Sequence, residues 1–299
     1  MIALERILLG AALTFLVAGG ARNVAAAGIG VSLTSDVLPS QPVASTSHWD
    51  AAAASADLTS SGLQYQFSVS PIGGVPNVLR SFHASNSFEW TPMVEGVYKV
   101  TVAVRDPDGN TGEASAALVV TSRLTQPDTP AVSATANPLV ALYSAPACGD
   151  GSVRAIVHPK ANLAKQYSQY RKCVDGKTFN FLMAGMLPKT QYVLQQEWTS
   201  PGQSSQFGPE ITFTTGAIPD SANLPAAVVL NPRDSATDAA QPVLLTSYIA
   251  TLPGQSATPV ATDFRGRTIW YYGVADKPLR YVLRPLAGGT ILAIPRDPT

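Results

Sequence analysis

The chain has 299 residues, of which 45% are hydrophobic, enough to supply real cores and to exclude a broadly disordered polypeptide. Twenty Lys and Arg balance 20 Asp and Glu, charged residues reach only 13%, and no basic tract follows the chain, so nucleic acid is excluded as a partner. The 23 Gly and 24 Pro show no period, which fits many turns between short strands better than long helices.

The N-terminal stretch reads as an export signal over residues 1–27. Arg6 precedes "ILLGAALTFLVAGGA", a run without charge until Arg22. That run has the length of a secretory apolar region and is short for a membrane span. Ala25 and Ala27 supply small residues at the spacing a signal peptidase accepts, placing cleavage after Ala27. No cysteine lies nearby to carry a lipid. An uncleaved anchor is the alternative reading. Cleavage implies a periplasmic or secreted protein without a stable membrane span.

Residues 28–60, rich in Ala, Ser and Thr, read as a low-complexity leader that is partly flexible or contributes an edge strand. His48 and Trp49 stand out there, and Trp49 is read as packing on the following domain.

From Leu63 the pattern changes to that of a β-sandwich over residues 61–123. "LQYQFSVSP" alternates apolar and polar side chains, the period of a half-buried strand. Phe88 and Trp90 lie two apart, on one sheet face. In "GVYKVTVAVRDPDGNTGEASAALVVTS", Tyr98, Val100, Val102 and Val104 form the core face, and "DPDGNTG" makes the turn to the next strand. Asp106 and Asp108 offer too few oxygens for a calcium site and read as turn residues.

"RLTQPDTPAV" is a proline-marked linker, and residues 132–216 are again strands. Phe179, Phe181 and Met183 share one face; Tyr192 and Leu194 are placed on another. Cys148 and Cys173 are the two cysteines. In an oxidising compartment they are expected to pair, closing a loop of about 25 residues and restricting the unfolded chain. They lack the CxxC spacing and nearby histidines that a redox or metal pair needs.

"GMLPKTQYVLQQEW", with Leu187, Pro188, Thr190 and Tyr192, resembles the fibronectin type III turn and its tyrosine corner, and "ITFTTGAIP" is similar to that family's last strand. The resemblance implies a structural role for Tyr192, its hydroxyl bonded to nearby backbone. The earlier sandwich is similar, more loosely, to immunoglobulin-like or PKD-like modules through "EWTPMVEGVYKVTVAVRDPDG", with Trp90 as a structural residue.

Residues 227–299 change character once more. "TPVATDFRGRTIWYYG" is a hairpin with Asp263 and Gly266 in its turn, and Ile269 and Tyr271 alternate with Trp270 and Tyr272. "LRYVLRPLAGGTILAIP" is a second hairpin, turning at Gly288 and Gly289. Two such hairpins have the form of one four-stranded propeller blade. This region resembles the opening of the bacterial arylsulfotransferase family, secreted or periplasmic β-propeller enzymes with a β-sandwich ahead of the propeller. The resemblance implies sulfate transfer from an aryl sulfate to a phenol through a histidine nucleophile, and Trp270 is given a structural role there.

The expectation is therefore an all-β protein: two tandem β-sandwich domains followed by an incomplete β-propeller-like blade, the start of a truncated propeller. The three histidines, His48, His83 and His158, all precede the blade, and none sits in the family's catalytic sequence. No catalytic residue, cofactor site or metal site is assigned. Arg265 and Arg267 flank Gly266 and could meet an anion, but read first as solvated turn residues. Two functions stay open: the N-terminal part of an arylsulfotransferase-like protein that is non-catalytic as given, or a secreted non-enzymatic module protein binding a protein or cell-surface ligand. The sandwich faces read as ordinary, with no dense aromatic or charged cluster in the loops.

Overall fold

The computed structural model describes residues 29–55, 62–162, 164–174, 176–222, 224, 227–230, 243–248, 258–273, 279–285 and 291–295. The export signal, its cleavage point and the Gly288–Gly289 turn lie outside them. The described residues are all-β apart from one short 3-10 turn. No helix among them is long and apolar enough to cross a membrane. The chain divides into two compact units, the second taking over at Val120 apart from two short earlier segments.

The first unit contains β1 (Ile29–Ser35), β2 (Ser40–Pro42), β3 (Ser47–Ser55), β4 (Gln64–Pro71), β5 (Asn77–His83), β6 (Ser87–Trp90), β7 (Gly96–Arg105) and β8 (Thr111–Thr121). They form two sheets, ordered β1-β3-β6 and β2-β8-β7-β4-β5. Alternation sets the core: Ile29, Val31 and Leu33 from β1, Tyr65, Phe67 and Val69 from β4, and Val100, Val102 and Val104 from β7 are buried. Phe88 stacks on Phe67 with centroids 5.2 Å apart. Trp90 meets Tyr98 edge-on at 5.1 Å. Both contacts link β6 to the larger sheet, which follows from the two-residue spacing of Phe88 and Trp90.

Residues 28–60 are more than a leader with an edge strand. They hold β1, β2 and β3, and β3 is the central strand of its sheet, paired on both sides. Trp49 belongs to this unit's own core: it is fully buried, and its Nε1 donates to Ser47 Oγ at 2.9 Å. The Ala run of β3 gives no hydropathy alternation, because small side chains fit both faces of a strand whose backbone bonds are already satisfied by two neighbours.

The second unit begins with β9 (Ala131–Ala134), β10 (Ala141–Ala145), β11 (Ser152–Pro159), β12 (Gln166–Tyr167), β13 (Arg171–Lys172), β14 (Phe179–Met183), β15 (Gln191–Thr199), β16 (Gln206–Phe207) and β17 (Ile211–Thr214). One sheet runs β14-β10-β9. The other runs β12-β11-β15-β16, with β13 added on β11 and β17 on β15. Tyr143, Val153, Ala155, Phe179, Phe181, Met186, Tyr192 and Leu194 are among the buried residues of their shared core. Tyr192 and Leu194 therefore join the same core as Phe179 and Phe181, from the opposite sheet. At the turn before β15, the Leu187 amide donates to the Tyr192 hydroxyl at 2.7 Å, and the Thr190 amide donates to Thr215 Oγ1 at 2.9 Å. Cys148 and Cys173 are joined by a disulfide of 2.08 Å, partly buried against this core.

Farther along are β18 (Val243–Tyr248), β19 (Thr258–Asp263), β20 (Thr268–Tyr271), β21 (Leu279–Pro285) and β22 (Ile291–Pro295). The two expected hairpins are present as β19–β20 and β21–β22, but the four-stranded blade is not. β18, β19 and β20 form a three-stranded sheet, β21 and β22 form a sheet of two, and no sheet among the described residues closes into a propeller. The ring of this region that packs inward is Tyr271, clustered with Leu139 and Val260, while Trp270 lies half-buried opposite Ala261. Asn137 Nδ2 donates to the Tyr271 carbonyl at 2.7 Å, so β20 is tied back to the second sandwich by both an apolar and a polar contact.

Candidate functional site

A gathering of aromatic and charged side chains near solvent lies on the outward face of the β12-β11-β15-β16 sheet. In β11 and β15, Val153, Ala155, Leu194 and Trp198 turn to the core. The alternate residues Arg154 and Glu197 therefore face outward, and the register sets them directly opposite each other. The same register sets Phe207 of β16 opposite Glu197.

Arg154 Nε donates to Glu197 Oε2 at 2.6 Å, and Arg154 Nη2 lies at the same distance from that oxygen. The Tyr170 and Ser205 side chains also act on the Glu197 carboxylate. Glu197 is only 5% exposed. Burial works to raise its pKa, but the bonds from Arg154 and Ser205, the Arg154 charge and the Tyr170 bond outweigh it and hold the carboxyl below its usual range. Burial and the bond to Glu197 push the Tyr170 phenol up, so it remains a protonated donor at neutral pH.

The Arg154 guanidinium carbon sits 4.1 Å from the centre of the Tyr167 ring and 4.4 Å from that of Tyr170. Both contacts are cation–π in geometry. The two tyrosines stay 50% and 43% exposed, and Phe207 is 51% exposed. They belong to a segment that folds back along β11: Tyr167 pairs with Ile156, and Arg171 with Val153. The segment ends at Cys173, whose amide also donates to the Gly151 carbonyl at 2.9 Å. Gly151 is required here, since its φ is +119° and a Cβ would stand 1.8 Å from the Thr199 carbonyl oxygen. Loop residues thus carry the rings, while a disulfide and two short ladders fix the loop. Arg154 thus gathers two half-exposed rings of one loop on this face.

The residues singled out from sequence are placed elsewhere. The disulfide closes this loop, but Tyr192 is buried in the core beneath it, Trp90 belongs to the first unit, and Trp270 lies beside β19. The histidines are spread over β3, β5 and β11. His48 Nδ1 is 3.2 Å from Glu89 Oε1, His83 Nδ1 accepts from the Ser85 amide at 3.0 Å, and His158 Nδ1 lies 3.0 Å from the Pro159 carbonyl. Among the described residues no three His, Cys, Asp or Glu side chains are grouped to hold a metal.

Both candidate anion and cation turns are closed on themselves. Asp263 accepts from the Arg265 and Arg267 amides, and its Oδ2 takes Arg267 Nε and Nη2, each at 2.7 Å. Gly266 completes that turn at φ +74°. Asp106 accepts from the amide and the side chain of Asn110, both at 2.8 Å, so its carboxylate organises a turn.

Sequence reasoning missed Arg154, Glu197, Tyr167, Tyr170 and Phe207. The available signal was "QYSQYRKC": two tyrosines in a polar stretch with no apolar period, beside a cysteine. Rings in such a stretch lack neighbours with which to form a core.

No protein-family profile matches the chain, and no curated protein matches it. Solved structures do match. The FN1-FN3 domains of chicken CNTN1 are 11% identical with a TM-score of 0.27, over 62% of this chain and 66% of that one. A two fibronectin type-III domain segment from chicken tenascin is 12% identical with a TM-score of 0.24, over 62% of this chain and 98% of that one. The chain spans just under two thirds of the CNTN1 segment.

Proposed function

We propose that this chain is an exported, non-enzymatic β-sandwich module protein that binds a protein or cell-surface ligand. The observation that carries the reading is the outward placing of Tyr167 and Tyr170, on a loop fixed by a disulfide, and of Phe207 in β16, beside the Arg154–Glu197 pair. A disulfide in a structural position belongs with an oxidising compartment, periplasmic or extracellular. Binding groups mounted on a loop that a rigid sheet positions are the usual arrangement for recognition.

A second reading, the N-terminal part of an arylsulfotransferase, is favoured by the β19–β20 hairpin alone, with "DFRGRTIWYY" running through its turn. It requires a histidine free to take a sulfuryl group. His83 and His158 each have Nδ1 engaged by nearby backbone, and His48 faces Glu89.

One experiment separates the two. The purified chain is incubated with 4-nitrophenyl sulfate and phenol, and 4-nitrophenol release is followed. No release above buffer is expected. Turnover that survives purification and disappears when His48, His83 or His158 is replaced by Ala would establish the enzyme reading instead.

A further inference from the structure

We infer that the Tyr167–Tyr170–Phe207 surface is a binding site for a neutral oligosaccharide chain. The inference rests on the reading of this protein as a binding module and names the ligand class.

Three properties of the surface point to a sugar. The first is ring exposure. A guanidinium can cover one side of a ring, and Tyr167 and Tyr170 remain about half exposed with Arg154 in place. Exposed ring faces suit the C–H faces of a pyranose, an apolar patch on an otherwise hydroxylated molecule.

The second is charge. Arg154 and Glu197 neutralise one another, with Glu197 buried and taking both Nε and Nη2 of Arg154. The Tyr170 phenol stays neutral. Arg171, next along the loop, turns its guanidinium to the Phe181 ring and donates to the Asn180 carbonyl at 2.9 Å. Apart from the exposed Lys165 and Lys172 at the ends of the ring-bearing segment, a charged ligand meets no uncompensated partner there, whereas a neutral one meets hydroxyl and amide groups. The exposed side chains flanking the rings along the chain include Gln169, Gln203, Ser204 and Gln206, donors and acceptors suited to sugar hydroxyls.

The third is preorganisation. Tyr167 is fixed by its pairing with Ile156, Tyr170 by the Arg154 guanidinium on its ring, and the loop by Cys148–Cys173. Little ordering cost is left to be met on binding. A protein partner would favour aromatic anchors surrounded by further apolar contact, and the flanking Gln and Ser residues do not supply it.

The test is isothermal titration of the full chain with maltohexaose, cellohexaose, laminarihexaose and chitohexaose, alongside an oligogalacturonate as the acidic probe. At least one neutral hexasaccharide is expected to bind. Tyr167→Phe keeps the ring and should retain affinity, whereas Tyr167→Leu and Tyr170→Leu keep apolarity but lose the flat face and should weaken binding about tenfold. Far-UV circular dichroism of the exposed-site variants is expected to match the parent.

Four results would overturn the inference. None of the neutral probes binds below about 5 mM. Leu and Phe variants bind equally. Only the oligogalacturonate binds, with affinity falling as salt rises, which assigns the surface to an acidic glycan drawn by Lys165 and Lys172. A displayed peptide library is retained through Tyr167 while no sugar is, which assigns it to a protein. Sugar binding together with sulfate turnover would leave this inference standing and overturn the non-enzymatic reading, so the two fail separately.

Discussion

Arg80 in the first unit and Arg154 in the second each set a guanidinium over two aromatic rings, yet the two clusters do opposite work. Arg80 lies 4.7 Å from the Phe67 ring centre and 5.8 Å from that of Phe88, and it donates to the Ser85 and Ser87 carbonyls. Phe67 is fully buried. This arginine closes a core and ties down the β5–β6 connection, and its burial lowers its pKa. Arg154 is held by a carboxylate instead, and its rings face solvent. The same cation–π contact is structural where backbone carbonyls consume the guanidinium and the rings are covered. It becomes a presented surface where the rings are left open.

Paired truncations test this contrast most sharply. Phe67→Ala is expected to cost about 3–5 kcal/mol of stability, through lost burial and the cavity left behind. Tyr167→Ala should cost under about 1 kcal/mol, since its ring is half exposed. Urea denaturation of the two variants measures both, and equal costs would erase the distinction between the clusters.

The loop that carries the second cluster is the next point to break. Replacing Cys148 and Cys173 together by Ser should cost about 3.5 kcal/mol from the restored freedom of a 25-residue loop. Limited trypsinolysis is expected to cut at Lys165, Arg171 and Lys172 first in that variant. Cleavage no faster than in the parent would mean that β12 and β13 hold the loop unaided.

The charge pair that holds Arg154 is the third point to break. Arg154→Ala leaves a buried carboxylate without its cation and should cost about 3 kcal/mol, at the low end of the range because the Arg154 side chain keeps 24% of its exposure. Glu197 has a folded pKa held below its unfolded value of about 4.3. Its contribution is therefore present above that pH and lost as pH falls through the folded value. Asp106 in the first unit has the same sign: burial opposes, and the bonds from Asn110 and from the Asp108 and Gly109 backbone prevail. Acid titration of stability should lose the Glu197 part in Arg154→Ala and keep the Asp106 part. An unchanged acid limb would remove the pair from the account.

Much of the fold was legible where alternation was strong. The burial of Val100, Val102 and Val104 and the turn at Asp106 follow from local pattern. β1 was also readable, since Ile29, Val31 and Leu33 alternate, but the surrounding Ala and Ser obscured it. β3 was not, because SHWDAAAAS owes its strand to pairing with β1 and β6 rather than to its own side chains. The blade failed for a related reason. Two hairpins announce themselves by their turns, but which edge joins which is a long-range choice, and β20 took β19 and the second sandwich as its neighbours, not β21.

The sequence by itself determined an all-β chain with two sandwich-forming segments, the pair of cysteines able to close a loop, and the aromatic turn before β15. Those are properties of short windows, where the two-residue period and turn chemistry act locally. Only the tertiary structure decided that Arg154, Glu197 and Phe207 stand in one row and that Tyr167 and Tyr170 return over it. Register and loop closure bring together residues up to about 50 positions apart, and nothing in their local windows records that they meet.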